Sequence, residues 1–306
     1  MPPDDSATAA FLPDYLSEAF GLKPSIPAYL DPMYSIQDFA TGVCFASAGS
    51  GYDNATADVL LTFLFKWSPV VAAIVDIAGS DPSVGKSLRT TRTIKDQLET
   101  FLGAEQEKEI ITEALYIMSV GTNDFLENYY AIPGRRSQFT IQQYQDFLIG
   151  LAEDFVKQLY ALGARKLSLT GLPPMGCLPL ERATNFMHPD SCAEEYNDLA
   201  LEFNGKLKQL VAELNDELPG MKVVFANPYD LLLQLITAPS LYGFENAEVG
   251  CCGSGTFEMG IMCTPDHPLT CTDADKYVFW DAFHLTDRAN QIISSYLFKD
   301  LKSNFL

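Results

Sequence analysis

The chain is short of basic residues: 20 Lys and Arg stand against 40 Asp and Glu, a formal net charge of −20. So acidic a surface repels phosphate backbones and anionic headgroups, which argues against nucleic acid or negatively charged membranes as partners. Histidine is scarcer still, with three in 306 residues. There is no Cys-x-x-Cys pair, and His188 and His267 lack partner geometry for zinc, so no metal is expected. No long apolar run is free of interruptions. The nearest, Val59 to Ile77, carries Lys66, Pro69 and Asp76 and is a poor membrane span. Met1-Pro-Pro-Asp4-Asp5 has neither a basic region nor an apolar core and does not read as a signal peptide. Internal repeats and low-complexity stretches are missing as well. With 47% hydrophobic and 20% charged residues, the composition is that of a globular protein with small neutral or apolar ligands.

Cysteine, by contrast, is plentiful and clustered. Seven occur, at 44, 177, 192, 251, 252, 263 and 271, six of them in the second half. Their setting in Pro- and Gly-rich loops favours disulfides and a secretory compartment over buried free thiols. Cys44 lies apart in an apolar context and reads as a small buried hydrophobe. Asn54-Ala55-Thr56 is a glycosylation acceptor sequence. Secretory cysteines without a signal segment suggest a chain shortened at its front.

Apolar strand-like runs alternate with amphipathic helical ones. Strands are expected at Gly42–Ala46, Ala114–Val120, Lys166–Leu169 and Lys222–Ala226, with a further run at Lys276–Trp280. Helices are expected at Ile141–Leu162, closed by Gly163, at Glu194–Leu218, stopped by Pro219-Gly220, and at Tyr229–Thr237. A last helix, capped by Thr286, should run through Leu297. This βαβα order predicts an α/β fold with a parallel sheet and helices on both faces, whose catalytic loops sit at the carboxyl ends of strands.

Two segments carry chemistry. Asp281-Ala-Phe-His284 places a carboxylate three residues before an imidazole, within reach of Nδ1–H, so that Nε2 is left to take a proton. Gly121-Thr-Asn123-Asp124 follows a strand, and Asn123 could aim its amide at a developing oxyanion. A backbone N–H near Gly49 would give a second donor. The competing readings are a polar turn with a helix cap at 121–124 and a bonded structural histidine at 284.

Four ordered blocks then make a resemblance specific: Phe39-Ala-Thr-Gly-Val-Cys44-Phe-Ala-Ser-Ala-Gly49-Ser-Gly51, Ser119-Val-Gly-Thr-Asn123-Asp-Phe125, Gly171-Leu-Pro-Pro-Met-Gly-Cys177 and Val278-Phe-Trp-Asp281-Ala-Phe-His284. The chain resembles plant GDSL esterases/lipases, a branch of the SGNH hydrolases. The resemblance implies one domain over residues 1–306 with a flavodoxin-like three-layer α/β/α sandwich, its first strand missing. It also implies hydrolysis of carboxylic esters of acyl lipids or acylated metabolites, on a small-molecule acyl ester substrate, in a secreted setting and without any cofactor. His284 would be the general base, Asp281 its orienting partner, and Gly49 with Asn123 the oxyanion hole. Oligomeric state is not implied.

The chain departs from the family at three places. The Gly-Asp-Ser-Leu block that supplies the nucleophile is absent from these residues, so little or no turnover is expected. Cys44 stands where the family has Asn. Residues 61–93 do not follow the family's long amphipathic helix, through either a mistranslated intron or genuine divergence. In the vacant first-strand place Val70 to Ile77 could sit. Gly79-Ser80 there could mimic a nucleophile elbow, with Ser80 a weak substitute. Gly79 to Ser87 mimics a phosphate loop, but with five residues between its glycines instead of four. The alternative to an esterase is a non-catalytic ligand-binding protein, with nucleotide binding behind both.

Overall fold

The structure is a computed structural model describing residues 12–46, 49–56, 84–186, 188, 191–259, 263 and 268–306. In chain order its elements begin with α1 (Leu12–Ala19), α2 (Ile36–Phe39), α3 (Val84–Leu102), α4 (Ala104–Glu113) and β1 (Leu115–Met118). A π-helical segment, Asp124–Ala131, is followed by α5 (Pro133–Arg136), α6 (Ile141–Leu162) and β2 (Lys166–Thr170). Then come α7 (Pro179–Ala183), α8 (Glu194–Glu217), β3 (Lys222–Ala226), α9 (Tyr229–Thr237), β4 (Asn246–Gly250), β5 (Tyr277–Phe279) and α10 (Asp287–Phe305). The chain is therefore α/β, as expected, and the segments expected at 70–77, at Ser80 and over most of 61–93 lie outside the described residues. Only residues 84–93 of that atypical stretch are described, as the start of α3.

The chain folds into two compact units, each built from separated stretches. One comprises residues 26–170 and 205–225 and holds a three-stranded sheet in the order β1-β2-β3. β1 and β2 run parallel in the register Leu115↔Lys166 to Met118↔Leu169. Parallel neighbours need a crossover, and α6 supplies it. Its start is a capping box: the Thr140 hydroxyl accepts from Gln143 N–H while the Gln143 side chain accepts from Thr140 N–H. Its end is Gly163 at φ +113°, a conformation that side-chain-bearing residues resist. Tyr144, Leu148, Ala152, Val156 and Leu159 form its buried stripe, spaced by three and four. Ile94 and Leu98 of α3 meet Phe39 in a second cluster, on which Tyr29, Ile36, Val43 and Phe45 pack.

The strand expected at Gly42–Ala46 is a correction. It shrinks to a single bridge, in which Cys44 N–H donates to Pro27 O and Tyr29 N–H to Cys44 O. Pro27 has no N–H to give the next rung, and Asp31 N–H turns back to Ala28 O at the other end. Cys44 itself is half-buried rather than buried.

The other unit comprises residues 1–25, 171–204 and 226–306. In it β4 and β5 pair in parallel, Asn246↔Tyr277 and Gly250↔Phe279. Helix α1 lies along α10, with the Phe20 and Phe298 rings edge to face at 4.9 Å. All three disulfides fall here: Cys177–Cys192, Cys251–Cys271 and Cys252–Cys263. The expected cross-linking of the loop cysteines is thus present, and Cys44 is left as a free thiol.

Thr286 caps α10 as its position suggests, but the helix runs eight residues beyond Leu297, to Phe305. The Thr286 hydroxyl accepts from Ala289 N–H at 3.3 Å and donates to Tyr277 O at 2.8 Å, fastening the helix start to β5. Thr286→Ala should therefore cost about 1–2 kcal/mol in urea unfolding, and Thr286→Ser should recover most of it. An alanine variant as stable as the parent would show that the cap contributes nothing.

Candidate active site

The carboxylate of Asp281 follows β5 and is 1% exposed. Its Oδ1 accepts from Phe283 N–H at 2.8 Å and His284 N–H at 2.7 Å, an Asx-type turn closed by the side chain's own neighbours. Its Oδ2 lies 2.7 Å from His284 Nδ1. A carboxylate can only accept here, so the proton sits on Nδ1 and Nε2 presents a lone pair. The spacing of three residues lets one carboxylate grip both the main chain and the ring of the same histidine. The imidazole is 65% exposed while the carboxylate side chain is 1% exposed, so the carboxylate is dry and the ring reaches solvent.

Main-chain bonds hold this turn from several sides. Cys251 N–H donates to Phe279 O, Cys252 N–H to Trp280 O, Trp280 N–H to His284 O and Ala282 N–H to Glu258 O. Leu180 N–H reaches Ala282 O from α7. Two disulfides fix the vicinal cysteines that make these bonds. Gly250 is required for the approach: a Cβ there would lie 2.7 Å from Asp281 O and 2.8 Å from its C and Cα. The side chain of Glu258 accepts from Ser254 N–H at 2.8 Å and from the Ser254 hydroxyl at 2.6 Å, which closes the turn that carries the Glu258 carbonyl. Partial burial would raise the Glu258 carboxyl, but these bonds win and bring it down to about 2.

A second cluster, in the other unit, surrounds the Gly49 loop. Gly49 sits at φ +70° in a turn, where glycine is the least strained residue. One N–H of the Asn123 amide donates to Ser50 O at 3.0 Å, and the amide carries a second N–H. Asp124, fully buried, accepts from Tyr52 N–H at 2.8 Å, Asp53 N–H at 3.0 Å and the Thr56 hydroxyl at 2.5 Å. Asp53 is buried too, with Arg135 clasping it through Nε at 2.6 Å and Nη2 at 2.8 Å and the Tyr144 hydroxyl donating at 3.1 Å. Such a fork on one carboxylate is a strong, directional pair. Burial pushes the Asp124 carboxyl up to about 7, against the lowering effect of its three donors, and the neighbouring Asp53 charge raises it further.

The structure thus joins Asp281 to His284, and Asn123 to the segment that follows Gly49. Ser80 lies outside the described residues. Sequence reasoning missed Asp53, Asn128, Arg135 and Tyr144. The available signal was the Gly51-Tyr-Asp53 triplet after a small-residue loop, with Asp124 and Asn128 four apart. Among the described residues no group of three or more His, Cys, Asp or Glu could hold a metal ion, and no helix is long and apolar enough to cross a membrane.

The dyad geometry has a spectroscopic consequence. A strongly downfield proton resonance from His284 Nδ1–H is expected, absent in Asp281→Ala. In Gly250→Ala the new Cβ meets main chain that cannot yield, so the same resonance should shift or broaden with unchanged far-UV circular dichroism. An unaltered signal in Gly250→Ala would show that the β4 end does not set the dyad.

Comparison with known proteins accords with this chemistry. A family described as GDSL-like Lipase/Acylhydrolase matches residues 2–297. Three Arabidopsis thaliana proteins, each named as a GDSL esterase/lipase, are 56%, 50% and 47% identical to the chain. They align over 95%, 96% and 99% of it and over 78%, 78% and 82% of their own lengths. With a buried Asp bonded to an exposed His in an α/β fold of parallel strands, the chain belongs to the GDSL-like lipase/acylhydrolase family.

Proposed function

We propose that the chain carries the base and the oxyanion donors of a carboxylic-ester hydrolase acting on acyl lipids or acylated metabolites. The Asp281–His284 bond is the observation that supports this most, because it fixes the tautomer that a general base needs. His284 Nε2 would take the proton of an attacking serine and return it to the leaving alcohol. Asp281 would stabilise the imidazolium formed between those steps. The second N–H of Asn123 and the main-chain N–H of Gly49 would hold the oxyanion, an arrangement worth several kcal/mol in the transition state. The serine itself belongs to a Gly-Asp-Ser-Leu block that these 306 residues do not contain. The polypeptide as it stands therefore turns over slowly or not at all.

A second reading is a pocket that binds acyl esters without cleaving them. Loop disulfides and the acceptor Asn54 support an extracellular setting for either. Asn54 is exposed while Thr56 is enclosed and bonded to Asp124, so a glycan there would have to be attached before folding closes this segment.

A fluorophosphonate probe separates these readings. The chain as it stands should remain unlabelled. With a family-type Gly-Asp-Ser-Leu segment joined at the N-terminus it should label on that serine, with His284→Ala abolishing the reaction. Labelling of Ser80 or any other serine in the unaltered chain would overturn the expected inactivity. A joined chain that binds acyl esters yet never labels would favour the binding protein.

A further inference from the structure

Asn123 and Asp124 are adjacent, and both grip the same short segment. Asn123 Nδ2 donates to the carbonyl of Ser50. Two residues on, the Asp124 carboxylate takes the main-chain N–H groups of Tyr52 and Asp53, and also the hydroxyl of Thr56. Between these grips Gly51 has no side chain, and the carboxylate fills the space one would need: a Cβ would lie 2.5 Å from Asp124 Oδ1 and 2.7 Å from Cγ and Oδ2. Behind this, Asn128 Nδ2 lies within bonding distance of Thr56 Oγ1, Asp53 Oδ2 and the Tyr144 hydroxyl, while Arg135 closes on Asp53. The π-helical segment that opens at Asp124 brings Asp124 and Asn128 to this cluster, a local irregularity of the kind often found beside functional sites.

We propose that Asp124 is a positioning residue: by clamping the N–H groups of Tyr52 and Asp53 across Gly51, it fixes the Ser50 carbonyl to which the Asn123 amide is tied, and so aims that amide. The proposal rests on the reading of Asn123 as an oxyanion donor. A buried carboxylate holding three donors has no freedom to shift without breaking bonds, so the Ser50–Asp53 main chain cannot drift relative to Asn123. The groups facing Asp124 are Tyr52 and Asp53 from the loop, Tyr144 from α6, and Arg135 from α5 through Asp53. Burial raises both tyrosines above their usual range, so neither supplies a charge near neutrality. Arg135 is spent on Asp53, and burial brings the Asp124 carboxyl to about 7, so its charge changes near neutrality. Since folding raises this carboxyl, its contribution to stability is full below about pH 4 and is lost as pH rises through about 7. The N–H bonds, by contrast, strengthen as the charge appears.

Amide NMR of the chain itself reads the clamp. The Asn123 side-chain amide and the main-chain N–H signals of Tyr52 and Asp53 should move together with pH, with one midpoint near 7. In Asp124→Asn that shared titration should vanish and the Asn123 amide should take a new position, with far-UV circular dichroism retained. Two results would overturn the proposal: an Asn123 amide that ignores pH in the parent chain, or the same midpoint surviving in Asp124→Asn. The first is measured without any substitution, so a variant that fails to fold does not shelter the idea. The readout needs no turnover. Loss of the oxyanion role is read separately, as undiminished labelling by the probe in an Asn123→Ala form of the joined chain.

Discussion

The bond from His284 Nδ1 to the buried carboxylate of Asp281 constrains everything around it. An ionised carboxylate at 1% exposure is tolerable only if its lone pairs are occupied, and Asp281 finds three donors within three residues of itself. Two of the three are main-chain N–H groups of the turn it closes. The carboxylate is therefore structural and chemical at once: neutralising its surroundings opens the turn, and opening the turn releases the ring. The glycine at 250, the vicinal cysteines and the Glu258 turn all follow from packing main chain close enough to keep that carboxylate dry.

Asp124 repeats this device with other means. It also sits beside a polar residue of proposed chemical use, is also fully buried, and also accepts from two successive main-chain N–H groups. The difference lies in what the carboxylate organises. Asp281 orients a neighbour three residues later, so its geometry is local and survives on sequence spacing alone. Asp124 reaches back some seventy positions to the Gly51 segment, so its geometry depends on tertiary packing.

That difference explains what could be read from the sequence. The dyad was legible because three-residue spacing encodes the bond, and helices α6 and α9 and strand β3 were legible because their periodicity and stop signals agree. The bridge at Cys44 was not, since its length is decided by Pro27 on a distant partner that no local pattern reveals. Arg135 and Asp53 likewise sit 82 residues apart and look, one by one, like solvated charges. Their pairing follows only once the loop after Gly49 is folded against the π-helical segment.

The two halves of the proposed chemistry are thus held by different physical means. The dyad turn is tied by main-chain bonds from a segment fixed by Cys251–Cys271 and Cys252–Cys263. The Asn123 segment contains no cross-link and depends on ionisable side chains at Asp53, Asp124 and Arg135. Covalent staples act mainly by restricting the unfolded chain and are indifferent to proton activity, whereas buried charge networks respond to pH and lose their value when one member is removed. Reducing conditions should accordingly loosen the His284 turn first, and a change in protonation should loosen the Asn123 segment first. A chain built this way keeps its full geometry only where both demands are met, in an oxidising compartment at a pH that leaves the Asp124 clamp intact.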